Sequence, residues 1–404
     1  MKKQKRAQVQ AEIKGKKQVS FRILLLSSLL SMILGVILSA GVFFLRMDKD
    51  ARSILQATNI IHGQFVGDYN WHEVVDGSMD YMVNALGDRW SYFLNAEEYQ
   101  HVLDSRNNSY IGIGVTVSQN AKNGIEILGV TPNSPAERVG LRAGNIIVGV
   151  NGVSVTEQNW KTCVASIAGE EGSVVTLELK LTGGLVKTVD VTREKIVSIP
   201  VTHEMLPDNV GYVKIRNFYS GSGSAMIAAV DDLIKQGASS LVFDLRNNPG
   251  GYVTELTKML DYLLPEGVIF QSRNLNGEEQ VYTSDASKID LPFAVLVNKD
   301  SYSAAEFFAA ELRESGGAHI SGEVTSGKGF AQQLFPLANG SAIGISTSRY
   351  FTGKGISLIG TGIKPDAEQS LSEDLQNLLA QEKLAHEKDI QLQASLAALK
   401  TLKK

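Results

Sequence analysis

Four patterns of apolar and polar positions follow one another along the chain. The first is continuous: Ile23 to Leu45 is a run of 23 residues without a charge. As a helix it would be about 34 Å long at ~1.5 Å per residue, enough for a hydrocarbon core of about 30 Å. From about Asp50 to Leu103 the apolar positions fall at helical spacing (Ile54, Ile60, Ile61, Phe65, then Val74, Val75, Met79, Met82, Val83, Leu86). Breaks at Gly67-Asp68 and Gly87-Asp88 predict two or three helices in series. The joint SRNNSYIG then changes the period to two. Between Ser109 and about Arg193, segments such as YIGIGVTVSQ, GIEILGV, NIIVGVNGVSV and SVVTLELKL alternate, predicting five or six strands. Within them SPAERVGL reads as a short helix with Ser134 as its cap and Pro135 at its first position. After Pro200 strand and helix alternate, through NVGYVKI, SGSGSAMIAAVDDLIKQG, SSLVFDL, TELTKMLDYLL, PFAVLV and SAAEFFAAELRESG. Such alternation predicts an α/β layer of parallel strands with right-handed crossovers, and places ligand chemistry at the strands' carboxyl ends. Two ends stand out: RNNPGG after SLVFDL, and NKDSYSAAE after FAVLV. The last 34 residues are polar and helix-favouring, with no Gly or Pro. They read equally as a cap on the fold, a surface for a homo-oligomer, or a frayed helical tail.

Charge sharpens the N-terminal reading. Residues 1–22 carry eight Lys/Arg against one acid, leaving 31 basic and 42 acidic side chains in the rest of a chain whose net charge is −4. The basic excess before the apolar run predicts a single-pass anchor in the cell membrane, with residues 1–22 cytoplasmic, 23–45 spanning and the remainder extracytoplasmic. A cleaved signal peptide ending near Ser39-Ala40 is the competing reading, against which the length of the run counts. The acidic remainder gives nucleic acid no basic surface. With one cysteine, Cys163, no intrachain disulfide forms, and histidines at 62, 72, 101, 203, 319 and 386 show no metal-ligand spacing, so neither metal nor cofactor is expected.

The stretch GEVTSGKGF, from Gly322, has the glycine spacing of a phosphate-binding loop, but Gly329 stands where magnesium needs Ser or Thr. Ser303 follows the strand FAVLV at the first turn of a helix. A serine there is most often an N-cap, yet a helix N-terminus also offers N–H groups to a developing oxyanion. Its hydroxyl needs a base. His319 lies between Ser303 and Lys328 in sequence. Lys328 serves only if neutral: its pKa of ~10.4 must fall by ~3 units, about 4 kcal/mol, which burial can supply. No other charge stands between Val324 and Phe335.

Two resemblances bear on these readings. YIGIGV, NSPAERVGLRAGNIIVGVNG and GSVVTLEL together resemble a PDZ domain, with Asn145 where Asp is usual. LVFDLRNNPGGYVTE, NKDSYSAAEFFAAEL, ISGEVTSGKGFAQQ and GTGIKPD, in that order and preceded by GDRWSYFLNAEEY, resemble the carboxyl-terminal processing peptidases, or tail-specific proteases. The resemblance covers about residues 50–367. It implies a multidomain α+β chain: an N-terminal helical region (46–105), a PDZ module (106–192), an α/β crotonase-like serine protease core (193–369) and a C-terminal helical segment (370–404). It implies Ser303 as nucleophile, Lys328 as general base and Gln332 as the residue that orients the lysine, Gln332 being chosen over Gln333 by spacing. The oxyanion hole falls on the backbone N–H of Ala304 with that of Gly250 or Gly251. The PDZ carboxylate loop falls on Tyr110, Ile111, Gly112, Ile113, Gly114 and Val115. The activity implied is endopeptidase cleavage near the C-terminus of protein or peptide substrates with apolar tails. Departures at Asp300, Tyr302 and Ala305 remove no catalytic group. A catalytically inactive PDZ scaffold, a nucleotide enzyme using Lys328 and a histidine-dependent hydrolase using His319 are the rival readings.

Overall fold

The computed structural model describes residues 21–120, 124–181 and 184–402. They form two compact units, one ending at Val74 and one running from Val75.

The first unit holds helices α1 (Phe21–Arg46), α2 (Lys49–Gln64) and the start of α3 (Trp71–Asn84). Asp48 starts α2 by accepting the Asp50 N–H at 2.9 Å. Here the membrane expectation is corrected. Among the described residues no helix is long and apolar enough to cross a membrane. The single-pass anchor and the cell-membrane location are therefore withdrawn. Residues 1–20 of the basic segment lie outside the described residues.

The second unit begins with a departure from the all-helical reading. A strand, β1 (Tyr92–Leu94), precedes α4 (Ala96–Arg106). The α4 start is a capping box, with Asn95 accepting the Glu98 N–H at 2.9 Å and Glu98 accepting the Asn95 N–H at 3.0 Å. A β-rich module follows: β2 (Ser109–Gly112), β3 (Val115–Asn120), β4 (Gly124–Val130), α5 (Pro135–Arg138), β5 (Ile146–Val150), β6 (Val153–Ser154), α6 (Trp160–Ala165), β7 (Val174–Lys180), β8 (Val186–Thr192) and β9 (Glu194–Val197). Its sheet is antiparallel in the order β3-β4-β5-β7-β8, with β6 beside β5 and a separate β2-β9 ribbon. Alternate residues point inward, so Val175, Leu177 and Leu179 of β7 join Ile125, Ile127 and Ile147 in one core. Strand β3 lies at the sheet edge.

The core contains β10 (Val201–Leu206), β11 (Val210–Ile215), α7 (Ser222–Lys235), β12 (Ser240–Asp244), α8 (Val253–Leu263), β13 (Gly267–Asn274), β14 (Glu279–Ser284), β15 (Phe293–Val297), α9 (Ala304–Gly316), β16 (His319–Gly322), β17 (Phe330–Pro336), β18 (Ala342–Phe351), β19 (Ala367–Glu368), α10 (Glu373–Ala380) and α11 (Ile390–Leu402). The main sheet runs β10-β11-β12-β15-β16-β19, antiparallel only at β10-β11. Both β12 and β15 are buried at every position, as a parallel sheet covered on two faces requires. One face packs on α7, α8 and α9 through Met226, Leu256, Phe307 and Phe308. On the other face Leu392 and Leu399 of α11 lie against Tyr212, Val242, Ala294 and Leu296. The polar C-terminal segment thus caps the fold. A second sheet, β1-β18-β13-β14 with β17 on β18, brings residues 88–94 beside the core.

Candidate active site

Strand β15 ends at Val297, and the turn into α9 is fastened at each step. The Asn298 N–H donates to the Ser301 hydroxyl at 2.9 Å, which donates to the Leu245 carbonyl at 2.8 Å, and the Tyr302 N–H donates to the Asn248 carbonyl at 3.1 Å. Ser303 is thereby held at φ 59 and ψ −125, a region that L residues rarely adopt and that costs ~1–3 kcal/mol. Strain of this kind, over-determined by its surroundings, marks functional turns. No local pattern signals it, since a serine at a helix start is ordinarily unstrained.

Glu306 fastens this turn to the lysine loop. Its carboxylate accepts the N–H of Ser303 at 2.9 Å, of Gly327 at 2.8 Å and of Lys328 at 2.9 Å, together with the Thr325 hydroxyl. Burial pushes the Glu306 carboxyl up, against the downward pull of these donors. A buried anion of this chain therefore occupies the N–H groups that a phosphate loop would offer to a nucleotide. The lysine loop also runs into strand β17 rather than a helix, so the phosphate-loop reading lacks its structural context. Serine followed three residues later by glutamate is the sequence signature of a capping box, and it was the available sign of Glu306.

Ser303, 8% exposed, and Lys328 line one cleft of about 620 Å³, with Gln332, Gln333 and Gly251 also in its wall. Burial pushes the Lys328 ammonium down to about 8; the Arg106 charge acts in the same direction, while Glu306 and Asp88 act against it. Its Nζ lies 4.8 Å from the Trp90 ring centre and 5.3 Å from that of Tyr302, with no hydrogen bond to Ser303 or Gln332. The Gln332 amide donates instead to the Phe330 carbonyl and the Ser346 hydroxyl, both at 3.1 Å. Ser346 in turn donates to Asp88 at 2.7 Å, and Asp88 also accepts from Ser91 at 2.6 Å. Burial raises the Asp88 carboxyl, but these hydroxyls, the Trp90 N–H and the Lys328 charge together hold it below the usual range. Asp88 and Trp90 were missed in the sequence because they lie more than 200 residues from the lysine and arrive through β1. His319 does not line the cleft; its Nδ1 faces Asp366 at 4.0 Å.

Gly250 and Gly251 lie against the serine turn. A Cβ on Gly250 (φ +80) would stand 2.7 Å from the Tyr302 carbonyl and 2.8 Å from the Ala304 nitrogen. The Gly250 N–H donates to Asn248 Oδ1 at 2.8 Å. Those of Gly251 and Ala304 donate to no main-chain carbonyl among the described residues. In the β-rich module, Gly114 takes φ +83, and the carbonyls of Ile113 and Gly114 accept the N–H groups of Ala136 and Thr131, both at 2.9 Å. The N–H groups of Ile113 and Gly114 likewise donate to no described main-chain carbonyl. Tyr110, Ile111 and Gly112 belong to β2, and Val115 opens β3.

Comparison with known proteins places these parts in a family. Residues 101–180 match the PDZ domain and residues 209–369 match peptidase family S41. The chain is 34% identical to the carboxy-terminal processing protease CtpA of Bacillus subtilis over 74% of its own length, a match that spans 64% of that relative. It is 31% identical to the carboxyl-terminal-processing protease of a Picosynechococcus strain, over 79% of this chain and 77% of the relative. A solved structure from Bacteroides fragilis, assigned to the S41 proteases, has the same fold at a TM-score of 0.56 and 20% identity, over 84% of this chain and 92% of that one. On these grounds the chain belongs to the carboxyl-terminal processing proteases of peptidase family S41.

Proposed function

We propose that this chain is a serine endopeptidase in which Ser303 attacks the scissile carbonyl and Lys328 is the general base. The observation that carries the reading is the cleft itself: a serine held in a strained turn at a helix N-terminus shares it with a lysine whose burial favours the neutral amine. Lys328 takes the hydroxyl proton as the Ser303 oxygen bonds to the carbonyl carbon, then gives it to the leaving amine as the peptide bond breaks. Water, deprotonated by the same amine, hydrolyses the ester and frees Ser303. The N–H groups of Ala304 and Gly251, both without a main-chain acceptor among the described residues, are the donors for the oxyanion; Gly250 shapes the turn. Gln332 reaches Lys328 only after leaving Ser346. Rotation of the lysine from its place over Trp90 brings Nζ to the hydroxyl, a tightening common when substrate binds.

In the same reading, residues 106–192 are the PDZ module and 193–369 the protease core. Residues 110–115 receive the carboxylate of an apolar tail, whose strand adds to the open edge of β3. The test is cleavage of an unfolded protein with an apolar C-terminus. Lys328→Ala is expected to abolish it, while His319→Ala keeps most of it and preserves the fold. Activity retained by the lysine variant sinks the dyad.

A further inference from the structure

Among the described residues two charged side chains line the cleft, Arg106 and Lys328, and no carboxylate does. Lys328 acts as a base only when neutral, which leaves Arg106 as the permanent charge of the wall. Among the described residues the Arg106 guanidinium has no ion-pair partner; its carbon lies 5.9 Å from the Tyr252 ring centre. Its main chain is held in place, because α4 ends there, the Ser220 N–H donates to the Arg106 carbonyl at 3.0 Å, and Asn108 bonds Ser220 and Asn217 at 2.9 and 2.8 Å. A guanidinium without an ion-pair partner, on an anchored main chain in a cleft that also holds five tyrosine rings, is complementary to a carboxylate, which accepts two parallel N–H bonds. The peptide in such a cleft can bring it on an acidic side chain near the scissile bond or at its own C-terminus.

We propose that Arg106 determines specificity by pairing with a carboxylate of the bound peptide. The inference rests on the peptidase reading of the cleft. It adds to apolar-tail recognition a second requirement at the cleavage site, made by a residue outside both the serine turn and the lysine loop.

The test uses the full chain and quenched peptides of one apolar tail, with Glu or Gln placed in turn at each position near the cleaved bond, and each with a free or amidated terminus. At one position or at the terminus, wild-type kcat/KM is expected to favour the acid over its amide by about tenfold. That ratio is expected to fall to about one in Arg106→Gln and to survive in part in Arg106→Lys. A terminal preference that persists in Arg106→Gln belongs to the PDZ loop and counts against Arg106 as its reader. Ratios near one throughout in the wild type overturn the inference and leave the dyad standing. If no peptide is cut, the peptidase reading fails; binding of the same pairs to Ser303→Ala, by fluorescence anisotropy, then decides on Arg106 by the same ratios.

Discussion

A methyl group on Gly250 would meet the Tyr302 carbonyl, the Ala304 nitrogen and the Ser303 Cβ, all within 3.0 Å, on backbone already at positive φ. Gly250→Ala is therefore expected to lower stability by about 1–3 kcal/mol and kcat by about a hundredfold, read by urea denaturation and peptide turnover. The lysine makes a second expectation. Its folded pKa, about 8, lies below the unfolded ~10.4, so the neutral amine grows as pH rises through 8 and kcat/KM rises with it. By the same sign, folding stability increases with pH between those two values. The groups that face the ammonium are Arg106, Glu306, Asp88 and the rings of Trp90 and Tyr302. Asp88→Asn removes an attraction that favours the charged form, so the midpoint of the pH profile is expected to move lower; an upward move contradicts the assignment. The absence of any other charge between Val324 and Phe335 was visible in the sequence, and with it the direction of the shift of Lys328. Its neighbours were not, because Asp88 and Trp90 reach it through the pairing of β1 with β18, which no local pattern encodes.

At the level of elements, the alternating patterns were the most legible. Residues Ser240 to Asp244 and Phe293 to Val297 read as strands because both faces of the sheet are covered, so Leu241 to Phe243 and all of Phe293 to Val297 are apolar while Asp244 is internally paired. The strand Tyr92–Leu94 was lost inside a helical pattern, since three residues carry no usable period. The C-terminal segment looked solvent-facing by composition, yet Asp389 and Gln391 point inward. Arg246, 1% exposed, donates to Asp389 and Gln391 at 3.0 Å each, and to Asp244 at 2.7 Å. These bonds tie the last helix to the segment that leads into Gly250. Asp389→Ala leaves a buried guanidinium short of one anion and is expected to cost about 3 kcal/mol in urea denaturation, with Asp389→Asn costing less. Equal stability of the alanine variant and wild type would show the pair to be dispensable.

Across the whole molecule, the β-rich module and the core each follow from their own pattern, and the order of motifs along the chain was what joined them into one family. The apolar N-terminal run misled in the other direction: hydropathy argued for a span, and among the described residues no helix makes one. The central claim is that one cleft combines Ser303 and a neutral Lys328 into an acylating site. It is tested most directly by rapid quenching of the full chain with an activated ester of an apolar peptide, followed by intact-mass analysis and mapping of the acyl group. The expected result is a single adduct on Ser303 that forms faster as pH rises through about 8 and does not form in Lys328→Ala. An adduct on another residue, or one on Ser303 that forms at an undiminished rate without the lysine, would contradict the account.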